Sequence, residues 1–141
     1  MTIQSILLPL FVQALLTFGV MFGMMYCRTS TLQRGETRFE DIALREPNWP
    51  MRATQFANSF ANQLELPVLF YVLTVLEILT RHADLLFVVL AWIFVVMRVL
   101  QAMIHVTNNN VRLRGAFYGV GAIILIIMWM IYIVRVLTAL P

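Results

Sequence analysis

Four stretches of about twenty or more mostly apolar residues, parted by short polar segments, take up nearly the whole of this 141-residue chain. A helix needs roughly 20 such residues to cross the hydrocarbon of a bilayer, so a chain built this way has lipid as its solvent. The composition agrees: 61% of the residues are hydrophobic and 12% are charged, too little polar surface for a water-soluble domain of this length. Nothing is left over for a separate soluble domain, and any chemistry must sit in the membrane or at its surface. The pattern predicts an all-α, integral membrane four-helix bundle forming a single domain over 1–141.

The first apolar run, about 3–26, is interrupted only by Gln4, Ser5, Gln13 and Thr17. It has no positive n-region and no small-residue cleavage site behind it, so it reads as a retained helix rather than a signal peptide. A polar loop from Arg28 to about Met51 closes on Pro47-Asn48-Trp49-Pro50, where the prolines disfavour helix and Trp49 suits the headgroup level. Further helices are expected at about 52–80, 85–106 and 114–140, joined by polar turns. Pro67 falls inside the second; it has no N–H to give and its ring crowds the carbonyl of Gln63, which predicts a kink.

Arginine counts set the orientation. Arg28, Arg34, Arg38, Arg45 and Arg52 follow helix 1 and Arg112 and Arg114 precede helix 4, against Arg81 and Arg135 on the other side. Both basic loops are therefore expected in the cytoplasm, with the termini outside.

All ten basic residues are arginine, dispersed rather than gathered into a stripe that could follow a phosphate backbone, which argues against nucleic acid as a partner. Cys27 is the sole cysteine, and with only His82 and His105 beside it neither a disulfide nor a metal-ligand spacing can be assembled. No base is positioned to make Cys27 a nucleophile, Glu77 is read as interfacial, and His105 alone as a packing residue.

Ionisable groups inside apolar helices cost several kcal/mol when unpaired, so Glu65 and Arg98 need an explanation that charges in a wet loop do not. Asn58, Asn62 and Glu65 are spaced i, i+4, i+7 along helix 2, and Arg98, Gln101 and His105 are spaced i, i+3, i+7 along helix 3, so each set shares one helix face. Counted from the short turn between these helices, Glu65 matches Arg98, Asn62 matches Gln101 and Asn58 matches His105 in depth, each to within one residue. A ladder of three polar rungs follows, with Glu65 and Arg98 paired and with Arg112, Arg114 and Tyr118 close to its open end. Such a ladder serves either as interhelical glue or as the wall of a pocket for a small polar, partly anionic ligand. Guanidinium groups bind carboxylates bidentately, and a carboxylate holds an ammonium group.

The string NSFANQLELPVLFYVL from Asn58 sets Asn62 three residues before Glu65, with Pro67 in the next turn. Together with Arg28 after helix 1, Trp49-Pro50-Met51-Arg52 before helix 2, Arg98, Gln101 and His105 in helix 3, and Arg114 and Tyr118 in helix 4, it resembles the family of membrane-associated proteins in eicosanoid and glutathione metabolism (MAPEG), in a bacterial-type member. The resemblance covers nearly the whole chain. It implies a homotrimer of four-helix bundles in a bacterial inner membrane, with glutathione bound between subunits near the cytoplasmic face as co-substrate. It also implies a glutathione site on Arg28, Asn58, Asn62, Glu65, Arg98, His105, Arg112 and Tyr118. Thiol activation falls to Arg114, with Arg112 the competing choice, and the electrophile would be a lipophilic small molecule arriving from the lipid bilayer. Eukaryotic members carry arginine where this chain has Asn58 or Ala61. The alternatives are a non-catalytic lipid- or partner-binding member of the same fold and a small multidrug transporter, whose key acid usually lies in the first helix, where this chain has none.

Overall fold

The computed structural model describes residues 1–139. Its helices are α1 (Ile3–Gln33), α2 (Met51–Gln63), α3 (Leu66–Leu79), α4 (Leu85–Val106) and α5 (Val111–Thr138), with one turn of 3-10 helix at Phe39–Asp41. No strand occurs among the described residues. α2 and α3 together form one crossing, so the chain has four helices long and apolar enough to span a membrane.

Polarity ended the first apolar run near Tyr26, but it did not end the helix. α1 continues two turns further to Gln33, because nothing from Cys27 to Gln33 breaks a helix. The stop comes at Gly35, whose φ of 73° is the left-handed conformation a helix terminus favours. There the N–H of Glu36 returns to the carbonyl of Thr31 at 3.2 Å and that of Gly35 to Leu32 at 3.2 Å, closing the last turn. At 1.5 Å per residue α1 is about 46 Å long, more than the roughly 30 Å of hydrocarbon, so its end stands clear of the apolar core. Polar residues within it are served locally: the Thr17 hydroxyl donates to the carbonyl of Gln13 at 3.0 Å and that of Thr31 to Cys27 at 2.7 Å.

The kink expected at Pro67 is a full break. α2 ends at Gln63, Leu64 and Glu65 leave helical geometry, and α3 restarts at Leu66 with Pro67 in its first turn, where the missing N–H costs nothing. The end of α2 tightens, with Leu64 N–H on the carbonyl of Ala61 at 3.0 Å and Glu65 N–H on that of Asn62 at 3.3 Å. α4 occupies 85–106 as expected, capped by Asp84, whose Oδ1 accepts from the N–H of Phe87 at 3.0 Å. α5 begins a turn earlier than expected, because Asn110 caps it by accepting from Leu113 N–H at 3.2 Å. The expected end of this helix at Leu140 lies outside the described residues.

Phe70 and Leu73 of α3, Ala91, Phe94 and Val95 of α4, and Leu125 and Met128 of α5 form the core; the Phe70 and Phe94 rings stack with centroids 4.9 Å apart. α1 packs on α2, α3 and α4, while α5 packs chiefly along α4 and to a lesser extent on α3. Outside this core the helices present Leu15, Phe22, Val72, Ile123 and Ile126, an apolar exterior suited to lipid. α1 has no room for a side chain at Gly23, where a Cβ would run into the ring of Phe56 on α2.

Candidate functional site at the long-loop end

The break in α2–α3 organises the polar residues of the bundle. With α2 ended at Gln63 and Glu65 out of helical geometry, the carbonyl of Asn62 loses the N–H of Leu66 as its helical donor and is open to a partner outside its helix, and the partner is Arg98 of α4, which donates from Nη2 at 2.9 Å. Arg98 is fully buried, yet its Nε and Nη1 have no hydrogen-bond partner. Its guanidinium lies 5.5 Å from the ring centre of Tyr118 on α5, and the Tyr118 hydroxyl donates to Glu65 Oε2 at 3.4 Å. One turn nearer the loop end, Asn62 Nδ2 stands 3.5 Å from Nδ1 of the buried His105. Asn62, Glu65, Arg98, His105 and Tyr118 thus form one connected cluster across three helices.

The expected rungs are corrected by this arrangement. Glu65 and Arg98 form no ion pair among the described residues; Tyr118 stands as the link between them, its ring beside the cation and its hydroxyl on the carboxylate. Asn62 meets His105 instead of Gln101, and Asn58 is not bonded to His105. The counting assumed a straight helix rising evenly from the short turn, and the break shifts the pairing of α2 with α4 by about one turn. Gln101 is buried on α4 with its carbonyl oxygen unpartnered.

Asn58 faces the other flank of α2. There it lines a cavity of about 560 Å³ with Arg28, Arg45, Glu46 and Trp49, between α1, the long loop and α2. Arg28 is half-buried, with its guanidinium 5.0 Å over the Trp49 ring and its Nε unpartnered. Arg112 and Arg114 stand in the first turn of α5. Arg112 is exposed; Arg114 is half-buried and donates from Nη1 to Asn109 Oδ1 at 2.6 Å, a short charge-assisted bond that fixes its direction.

A second polar ribbon had not been singled out in the sequence. Gln55, Ser59 and Gln63 are buried along the inner face of α2. Gln63 accepts from Nε2 of the buried Gln13 on α1 at 3.0 Å, and Gln55 donates to the carbonyl of Thr107 at 3.3 Å. Their i, i+4, i+8 spacing was a usable signal, as was Gln13, a lone amide inside an apolar run. They lie about 90° around the helix from the stripe of Asn58, Asn62 and Glu65.

A cluster that sets a carboxylate, a desolvated guanidinium, a phenol and an imidazole beside a broken transmembrane helix has both signs of charge to offer a ligand. The MAPEG family model matches residues 6–134. The chain belongs to the MAPEG family. No curated protein and no solved structure matches the chain at a significant level. The family includes glutathione transferases and is associated with the use of glutathione. Among the described residues no group of three histidine, cysteine or acidic side chains could hold a metal ion.

Proposed function

We propose that this MAPEG protein is a glutathione transferase-like enzyme, joining the sulfur of glutathione to a lipophilic electrophile that arrives through the bilayer. The observation that carries the reading is the cluster of Glu65, Tyr118 and Arg98 at the break. Glutathione carries an ammonium group and two carboxylates; Glu65 matches the first, while the two spare N–H groups of Arg98, with Tyr118 as a movable cover, and the guanidinium groups of Arg112 and Arg28 match the second. Asn58, Asn62 and His105 complete the set with neutral hydrogen-bonding groups.

Arg114 is assigned the thiol. A fixed guanidinium beside a thiol favours the thiolate, the nucleophilic form, and the anchoring of Arg114 by Asn109 supplies that fixity. The thiolate attacks the electrophilic carbon, a carbon–sulfur bond forms, and the electron pair leaves with the departing group or settles on the acceptor. The Arg28–Asn58 cavity and the Glu65–Tyr118 edge flank α2 on two sides. In this reading a homotrimer brings a neighbouring subunit against that edge and closes the site, with the long loop in the cytoplasm, where glutathione is met.

The test is conjugation of glutathione to a generic aromatic electrophile by the detergent-solubilised protein, with glutathione binding followed by thermal shift. Wild type should bind and turn over; Arg114→Ala should bind with little change and lose turnover, whereas Arg112→Ala should keep most of it. A second reading, a non-catalytic lipid- or partner-binding member, is favoured by the exposed Asn58 and Ala61, which stand where eukaryotic members carry arginine. Absence of both turnover and a glutathione-dependent shift would decide for it.

A further inference from the structure

At the opposite end of the bundle a carboxylate is buried without a cation. Glu77, in the last turn of α3, keeps only 2% of its surface exposed. Its Oε2 has no hydrogen-bond partner, and no basic side chain lies within ion-pairing distance of it among the described residues. Arg135 of α5 borders it across a gap of about 10 Å³ but is held elsewhere, on Asp84 at 2.8 Å and on the carbonyl of His82 at 3.3 Å. Asp84 caps α4 through Oδ1 and holds Arg135 through Oδ2, so a carboxylate fixed at the helix start keeps Arg135 engaged away from Glu77.

On its other side Glu77 borders a cavity of about 250 Å³ with Met1, Ile3, Ile6, Ile78, Ala83 and Arg81. Arg81 is exposed, on a left-handed residue of the turn with φ 58°. The cavity therefore combines aliphatic walls, one desolvated acidic side chain and two solvent-exposed cationic residues, Arg81 and the N-terminal Met1. Charge attraction is stronger where water is excluded, so the field of Glu77 dominates inside and those of the exposed Arg81 and Met1 ammonium are screened outside. A lone carboxylate is too few ligands for calcium or magnesium, which take six or more oxygens, or for zinc, which takes four ligands, while the isoleucines offer nothing to a hydrated ion.

We propose that this cavity is a second ligand site, separate from the cluster at the break, that binds a small lipophilic ammonium ion with Glu77 as counter-ion and Ile3, Ile6 and Ile78 around its hydrocarbon. The probe is n-hexylammonium, compared with hexanol, titrated calorimetrically into the full chain in a neutral detergent. Hexylammonium should bind saturably and hexanol at least about tenfold more weakly. Glu77→Gln should weaken hexylammonium by a similar factor, Glu36→Gln in the long loop should leave it unchanged, and Arg81→Gln, by removing a like charge, should tighten it. Ala83→Leu fills the cavity and should abolish binding with the carboxylate intact, which keeps the test open if Glu77→Gln does not fold. No saturable binding by wild type, equal binding of hexanol, or wild-type affinity in Ala83→Leu would each overturn the proposal.

Discussion

Replacing Arg98 by methionine separates what the guanidinium does for the site from what its bulk does for the fold. Arg98 gives one charged hydrogen bond, to the carbonyl of Asn62 at 2.9 Å, worth about 1.5–3 kcal/mol net. Its cation–π contact with Tyr118 adds about 0.5–2 kcal/mol. Against these stands a cation taken wholly out of solvent with two N–H groups unpartnered, a penalty of several kcal/mol. The opposing contributions are of similar size, so Arg98→Met, which keeps an unbranched chain in the same space, should leave stability within about 2 kcal/mol of wild type. Arg98→Ala loses the packing as well and leaves a cavity, costing about 2–5 kcal/mol more. Thermal unfolding in detergent, with and without glutathione, reads both effects. Arg98→Met should unfold near wild type, Arg98→Ala clearly below it, and both should lose the glutathione-dependent shift once the carbonyl of Asn62 is released. If Arg98→Met falls as far as Arg98→Ala, the guanidinium is net stabilising and the reasoning about its desolvation is wrong. If the shift survives in Arg98→Met, Arg98 does not organise the cluster.

The amide pair inside α1 and α2 gives a double-mutant test: Gln13→Leu or Gln63→Leu alone strands a buried amide and should cost about 1–3 kcal/mol, while the double variant should recover much of the loss in the same unfolding assay. Gly23→Leu should destabilise by about 1–3 kcal/mol, because its side chain enters the space of the Phe56 ring, and Phe56→Ala in the same chain should relieve it. At Asp84 burial pushes the carboxyl up, but the hydrogen bond from Arg135, the N–H of Phe87 and the charge of Arg135 together hold it below the ordinary aspartate range. A carboxyl lowered by folding contributes stability that is full above about pH 4 and is lost as pH falls through the depressed value. Unfolding midpoints of the wild type should therefore drop in acid more than those of Asp84→Asn, which keeps a capping side chain; parallel pH profiles would count against the ion pair.

Helix count and the placement of the charged stripes were legible in the sequence because lipid enforces them: apolar length sets the spans, and period 3.6 sets which residues share a face. α4, bounded by Asp84 and Thr107, was read to the residue for that reason. The end of α1 was not, since the apolar pattern reports where lipid stops and only Gly35 reports where the helix stops. Pro67 announced a disturbance, but the sequence does not say how much a backbone relaxes around one. That depends on whether something can take up a carbonyl the break exposes, and Arg98, 36 residues beyond Asn62, does so for Asn62. The direct Glu65–Arg98 pair was a two-body inference, and the geometry placed a third body, Tyr118, between them.

The break and the buried cation explain each other. An intact α2–α3 would direct the carbonyl of Asn62 along its own axis to the N–H of Leu66, leaving Arg98 without that acceptor, and would aim the carbonyl of Gln63 at a Pro67 that has no N–H to give. With the helix broken, the carbonyl of Asn62 keeps only a 3.3 Å bond from the N–H of Glu65 within its own segment and is free to accept from Arg98 as well, and Glu65 is released from helical geometry to an exposed edge where Tyr118 can reach it. Restoring the helix should therefore damage the site more than the fold. In Pro67→Ala the new N–H can donate to the carbonyl of Gln63, the helix straightens, and Asn62 turns away from Arg98. Unfolding should then move little, and the cysteine-scanning accessibility of position 65 should fall. A Pro67→Ala protein in which position 65 stays as accessible as in wild type would mean that Arg98, not Pro67, holds the break open.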